Sequence, residues 1–273
     1  MKKTRIITML LTAATLSTAA LTVSAAQTPT VSVTIVDGEG NLALAQGEIA
    51  VTDTDGDGAL TIHDALYLAH EAYFAEGTAG YGVAQTDYGL SMTKLWGYEN
   101  GGGYGYYRND AAAMSLGDVI ADGDRINAFV YTDTATYSDT YCYFDIQTAT
   151  LNSGDALTLT LMAAGYDANW NPVTIPVADA KILVDGSASA YMTDAEGTVT
   201  ISLTESGTHI ISAASDHQIL VPPCCKVTVA GETTTATTTT TASGVETGDA
   251  SPVAALALAG AALTVMVTRR KKS

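Results

Sequence analysis

The chain has 273 residues, 47% of them hydrophobic, with 12 Lys and Arg against 29 Asp and Glu and a formal net charge of −17. Seven of the 12 basic residues sit in the two ends, and all 29 acidic residues lie between them. So acidic a middle repels nucleic acid, which is excluded as a partner, and attracts cations.

At the start, Lys2, Lys3 and Arg5 precede an apolar run to about Val23 and the small residues "VSAAQ". A basic n-region, an apolar h-region and a small-x-small site make residues 1–26 a secretory signal peptide. The chain is expected to be exported.

The first folded region, 27–147, opens with "TVSVTIV", which alternates as a strand; "DGEGN" turns and "LALAQGEIAVTD" returns. Next comes "DTDGDGALTIHD", Asp53 to Asp64, with aspartates at the first, third, fifth and twelfth positions and glycine at the sixth. That is the spacing of an EF-hand loop, which supplies ligands from positions 1, 3, 5, 7, 9 and 12. The expected ligands are Asp53, Asp55, Asp57, the Ala59 carbonyl, Thr61 through water, and Asp64. Hard oxygen donors with four carboxylates select Ca²⁺, the one cofactor expected.

"TIHDALYLAHEAYFAEG" places Ile62, Leu66, Ala69 and Tyr73 at helical spacing, and Gly77 ends the run. Aspartate at position 12 resembles the dockerin repeat. That resemblance implies an alternative function, in which the 53–74 segment docks on a cohesin-type partner. Dockerins pair two such loops, whereas this chain has one copy, preceded by the strand-like "GEIAVT". The loop is therefore expected as a strand-to-helix connection in which Ca²⁺ has a structural role.

His70-Glu71 opens like a zinc-protease motif, but Phe74 stands where the second histidine belongs. His63, His209 and His217 show no ligand spacing and are expected as surface or capping residues. "GGGYG" lacks the Lys-Ser/Thr of a phosphate loop, and no nucleophile elbow is evident. No enzyme is expected.

"GYGYYRND", "LGDVIADGDRINAFVYTD" and "TYCYFDI" read as further strands, giving a ββαβ order and a small sheet covered by one helix. Trp96, Tyr106, Tyr107, Asn109, Gly123, Asp124 and Phe129 form a pattern that resembles bacterial relatives of the transcobalamin C-terminal β-grasp domain. The resemblance covers about residues 30–145 and implies an extracellular binding module. Twelve of the 14 tyrosines lie between Tyr67 and Tyr143. Trp96, Tyr104, Tyr106 and Tyr107 are either ordinary sheet packing or an exposed platform for a glycan or protein ligand, beside the flexible Gly101–Gly103.

The second region, 148–230, has short β runs separated by turn signals and is expected as an all-β sandwich. Its "TDAEGTVTISLTESGTHIISA" resembles bacterial immunoglobulin-like and carboxypeptidase-regulatory-like surface modules, implying a spacer or adhesive role. The fold class is thus α+β followed by all-β. Cys142 could bridge to Cys224 or Cys225, or all three could be buried thiols.

Residues 231–247 are a threonine-rich stalk that cannot build a core. In the anchor, 248–273, an uncharged span over 253–268 precedes Arg269, Arg270, Lys271 and Lys272, long enough for a C-terminal transmembrane helix with a cytoplasmic end. "GVETG", with span and basic tail, resembles the Leu-Pro-x-Thr-Gly sorting signal of Gram-positive wall proteins, with Val245 in place of proline. It implies sortase as a partner acting between Thr247 and Gly248; plain membrane anchoring is the other outcome. Together these readings describe a non-catalytic binding protein held at the cell surface.

Overall fold

The computed structural model describes residues 28–87 and 89–231. β1 (Thr30–Val36) and β2 (Leu42–Ala50) form the hairpin that their alternation predicts. Its turn is closed by the Asp37 carboxylate, which accepts the backbone N–H groups of Glu39 and Asn41 at 2.9 Å each. Helix α1 (Ile62–Tyr73) follows, then the pair β3 (Gly82–Thr86) and β4 (Gly89–Lys94). β5 (Tyr104–Arg108), β6 (Ala111–Ala112) and β7 (Arg125–Val130) complete this half.

The first sheet has the order β2-β1-β7-β5-β6, with β1 and β7 parallel at its centre. α1 buries Ile62, Leu66 and Ala69 in a core shared with Val31, Val33 and Ile35 of β1 and Ile126 of β7. Deleting a fully buried side chain such as Leu66 would cost about 2–5 kcal/mol. Gly105 on β5 is small for a reason: a Cβ there would lie 2.1 Å from the ring of Phe129.

The second half comprises β8 (Thr140–Phe144), β9 (Thr148–Asn152), β10 (Ala156–Tyr166), β11 (Pro172–Pro176), β12 (Lys181–Val184), β13 (Ser187–Met192), β14 (Thr198–Ser202), β15 (Gly207–Ala214), β16 (Leu220–Val221) and β17 (Cys225–Ala230). One sheet runs β11-β10-β8-β16, with β14 also paired to β10. The other runs β13-β12-β15-β17-β9. Phe144, Leu159 and Leu161 of the first meet Ile182, Ile211 and Val227 of the second in one core, so the two sheets form a sandwich. On β10, Leu157, Leu159 and Leu161 point inward while the intervening threonines are more exposed.

One boundary differs from the sequence expectation. "TYCYFDI", assigned above to the first region, supplies β8, which pairs with β10 and β16 inside the sandwich. The chain leaves the first sheet after Val130, because Cys142 and Phe144 find their apolar partners in the second core.

The stretch between β7 and β8 is tightly bonded. Asp139 accepts from Thr132 N, Thr132 Oγ1 and Asp133 N at 2.7–2.9 Å. Asp133 in turn accepts from Ala135, Thr136 and Ser138. A third apolar cluster, Val36, Phe129, Tyr141 and Val221, joins the halves, and the described residues fall within one compact unit. Across the junction, Gln46 Nε2 donates to the carbonyls of Gln147 (2.8 Å) and Cys224 (3.1 Å), and Lys226 Nζ donates to the Gln46 carbonyl at 3.1 Å.

The described part is therefore mostly β with one α-helix. Among the described residues no helix is long and apolar enough to cross a membrane. The signal peptide, the stalk beyond Gly231 and the anchor all lie outside the described residues.

Candidate functional site

The acidic loop connects β2 to α1. Asp53 accepts the backbone N–H of Gly56 at 2.6 Å and of Gly58 at 2.9 Å. The bonds from Gly58 and Gly56 hold its carboxyl below the usual aspartate range. Asp55 accepts from Asp57 N at 3.2 Å and Asp57 from Ala59 N at 2.7 Å. Gly56 and Gly58 sit at φ of +79° and +86°, where a side chain would be strained. The result is that ligand oxygens of Asp53, Asp55 and Asp57, all exposed, lie within 4.8 Å of one another.

Asp64 and Thr61 are placed differently. One Asp64 oxygen accepts from Thr54 N (2.7 Å) and Thr54 Oγ1 (2.6 Å), the other from Thr61 N (2.9 Å) and Thr61 Oγ1 (2.8 Å). Four donors fill the roughly four acceptor sites of a carboxylate. Thr61 is the N-cap of α1 and Asp64 its third residue, a capping box. Burial opposes ionisation of Asp64, but the bonds from Thr54 and Thr61 outweigh it and lower its pKa. Asp64 thus ties both ends of the loop to the helix start. Among the described residues, the acidic cluster comprises Asp53, Asp55 and Asp57 without it.

The loop has a partner that sequence reasoning missed. Leu60 O accepts from Ile120 N at 2.9 Å, and Thr61 forms an antiparallel bridge with Val119. Ile62 N donates to Asp118 O (3.1 Å) and His63 N to Leu116 O (2.9 Å), so this segment satisfies N–H groups that the first turn of a helix leaves open. These are backbone bonds, and no residue type announces them.

Of the three histidines expected as surface or capping residues, two are corrected: His63 and His209 are buried, while His217 is exposed. His63 is buried, with Nδ1 3.2 Å from the Tyr81 hydroxyl. His70 is fully buried; its Nε2 accepts from Trp96 N at 3.0 Å, so Nδ1 donates to Leu66 O at 2.7 Å. Burial lowers its pKa to about 4 and keeps the ring neutral. His63, Leu66 and His70 follow helical spacing, a signal that could have placed both rings on the buried face. His209, also buried, bonds Asp185 Oδ2 at 2.7 Å, and that bond raises its pKa.

The aromatic candidates do not share one exposed face. Trp96, Tyr104 and Tyr106 pack against the first core. The Trp96 ring lies 5.1 Å from that of His70, and Tyr104 Oη donates to Thr93 O at 2.7 Å. Tyr107 faces the other way and stacks on Tyr141 at 3.7 Å. The Gly101–Gly103 turn, expected to be flexible, is pinned: Asn100 Nδ2 donates to Gly103 O (2.8 Å) and Asn100 Oδ1 accepts from Gly103 N (2.9 Å). Asn109 and Asp124, both in the β-grasp pattern, bond at 2.7 Å.

Cys142, Cys224 and Cys225 are free and buried, so the bridge expected as one possibility is not formed. Burial pushes Cys224 and Cys225 up to about 12. Thr247 and Gly248 lie outside the described residues.

No family model matches this chain, and no curated protein matches it by sequence. Among solved structures it is similar to one described as "Structural basis for Dscam isoform specificity", at 12% identity over 42% of this chain and 26% of that one, with a TM-score of 0.23. The N-terminal four Ig domains of Dscam1 isoform 9.44 align at 10% identity over 75% of this chain and 44% of that one, TM-score 0.22. The D0–D1 domain of intimin aligns at 17% identity over 54% and 76%, TM-score 0.24. The chain spans less than half the length of the two Dscam structures. Superpositions this loose carry no argument about function.

Proposed function

We propose that this chain is a non-catalytic binding protein of the cell surface, built on a β-grasp-like half and an Ig-like sandwich and stiffened by Ca²⁺ in the 53–59 loop. The observation that carries the metal reading is the convergence of Asp53, Asp55 and Asp57 oxygens within 4.8 Å. Three carboxylates so close repel one another unless a cation lies between them. The donor set is all hard oxygen, which suits Ca²⁺. Asp53, Asp55, Asp57 and the Ala59 carbonyl would hold the ion, while Asp64 and Thr61 frame the loop. Bound there, the ion would neutralise the cluster and lock the passage from β2 into α1.

The β-grasp reading is supported by the central parallel pair β1–β7 with α1 on the same sheet. Two sheets sharing one core support the Ig-like reading. Export and anchoring rest on the sequence of the two ends; a wall digest in which the chain terminates at Thr247 would support sortase transfer, and recovery of the intact tail would leave membrane anchoring. The cohesin-docking alternative gains no support, because α1 buries Ile62, Leu66 and Ala69 in its own core. The decisive test is calcium titration by calorimetry on wild type and Asp57→Ala. Binding lost in the variant supports the site; equal heats from both would sink it.

A further inference from the structure

The cleft between the halves has walls that no part of the loop reading uses. It encloses about 800 Å³, within the range of small-ligand sites, and lies between β6 and β11, each the edge strand of its sheet. Tyr107, Asp110 and Met114 line one side; Tyr166, Pro172 and Thr174 line the other. The Tyr107 ring is locked flat by its stack on Tyr141, at 3.7 Å and 11°. Beside the cleft, Trp170 is 81% exposed and tilts against Tyr166, itself 56% exposed, at 6.1 Å.

Trp170 also sits at φ +62°. For so bulky a residue this is a costly conformation, and glycine or asparagine would hold the same turn more cheaply. The turn does not need the indole: Asp167 already closes it through Asn169 N (2.8 Å) and Asn171 N (2.9 Å). The strained, exposed ring therefore points to a ligand.

Three features select the ligand. Pro172 and Pro176 bound β11 and offer no N–H, so this edge is guarded against an added peptide strand. Among the described residues no lysine or arginine lines the cleft, Arg125 being paired with the Asp110 carboxylate behind it, and an acidic protein repels anions. Flat ring faces beside the hydroxyls of Tyr166 and Thr174 match molecules that combine apolar C–H faces with hydroxyl groups. We propose that this cleft binds a neutral oligosaccharide, its rings stacked on Trp170, Tyr166 and Tyr107 and its hydroxyls directed to Thr174, while Asp110, already bonded to Arg125 and to the Tyr141 hydroxyl, braces the wall behind Tyr107. The proposal rests on the surface-binding reading above and names its ligand class.

The test is calorimetry of the full-length protein with cello-, xylo-, manno- and chitohexaose, and with hexagalacturonate as the charged probe. At least one neutral sugar should bind, and Tyr166→Ala combined with Trp170→Ala should weaken it about tenfold or more at unchanged Tm. Absence of binding by all four neutral sugars overturns the proposal, as does full affinity in the double variant or equal affinity for hexagalacturonate. If none of the four neutral sugars binds while a protein ligand is captured equally by wild type and double variant, the cleft proposal falls and the surface-binding reading stands.

Discussion

The backbone N–H of Ile120 donates to the carbonyl of Leu60 at 2.9 Å, so the acidic loop closes against the segment that precedes β7. A single loop can stand without a second copy because this segment supplies the backbone partners. Ile120→Pro removes the donor, and a lost buried bond of this kind costs about 1–3 kcal/mol. The expected result is a lower Tm together with weaker calcium binding; unchanged calcium affinity would separate the two features.

Calcium should stabilise the fold by mass action, by ~2.7 kcal/mol at a hundredfold excess over its dissociation constant. Chelation is expected to lower the wild-type Tm and to leave Asp57→Ala unaffected. Superimposable wild-type melting curves in calcium and in chelator would reduce the loop to an acidic turn.

Asp64→Asn separates frame from ligand. It loses acceptor capacity for Thr54 and Thr61, at about 1–3 kcal/mol, with or without calcium. A destabilisation seen only in the presence of calcium would make Asp64 a ligand after all.

His70 makes stability pH-dependent. Its folded pKa, about 4, is below the usual 6.5, so the unfolded chain binds more protons between these values. The stabilising effect of keeping this ring neutral is complete above 6.5 and is lost as pH falls toward 4. Between neutral pH and about pH 5 it amounts to about 2 kcal/mol. His70→Leu, which leaves Trp96 N without its acceptor, should be less stable at neutral pH yet lose less on acidification; parallel pH profiles would refute the assignment.

The three thiols should be inert. With Cys224 and Cys225 pushed up to about 12 and all three buried, a thiol reagent should label none in the native protein and all three after unfolding. Rapid native labelling would place at least one at the surface.

What could be read from the sequence was local. The β1–β2 hairpin and α1 follow from alternation and helical spacing, and the convergence of Asp53, Asp55 and Asp57 follows from loop spacing. Asp64 was ambiguous in a physical sense: one residue is both the twelfth of the loop and the third of the helix, and its hydrogen bonds in the structure serve the helix. Pairings between distant strands were not legible. Nothing in "TYCYFDI" says which sheet it joins, and only the apolar partners of Cys142 and Phe144 decide it. The cleft was missed because Tyr107 and Tyr166 are far apart in the chain.

Eight hydrogen bonds from the short stretch between β7 and β8 converge on Asp133 and Asp139. A hinge needs torsions free to change, and these are occupied. The link between the two walls of the cleft is thus braced, which favours a set spacing over a jaw-like closure. A guest of the proposed cleft would then be gauged by its width and flatness.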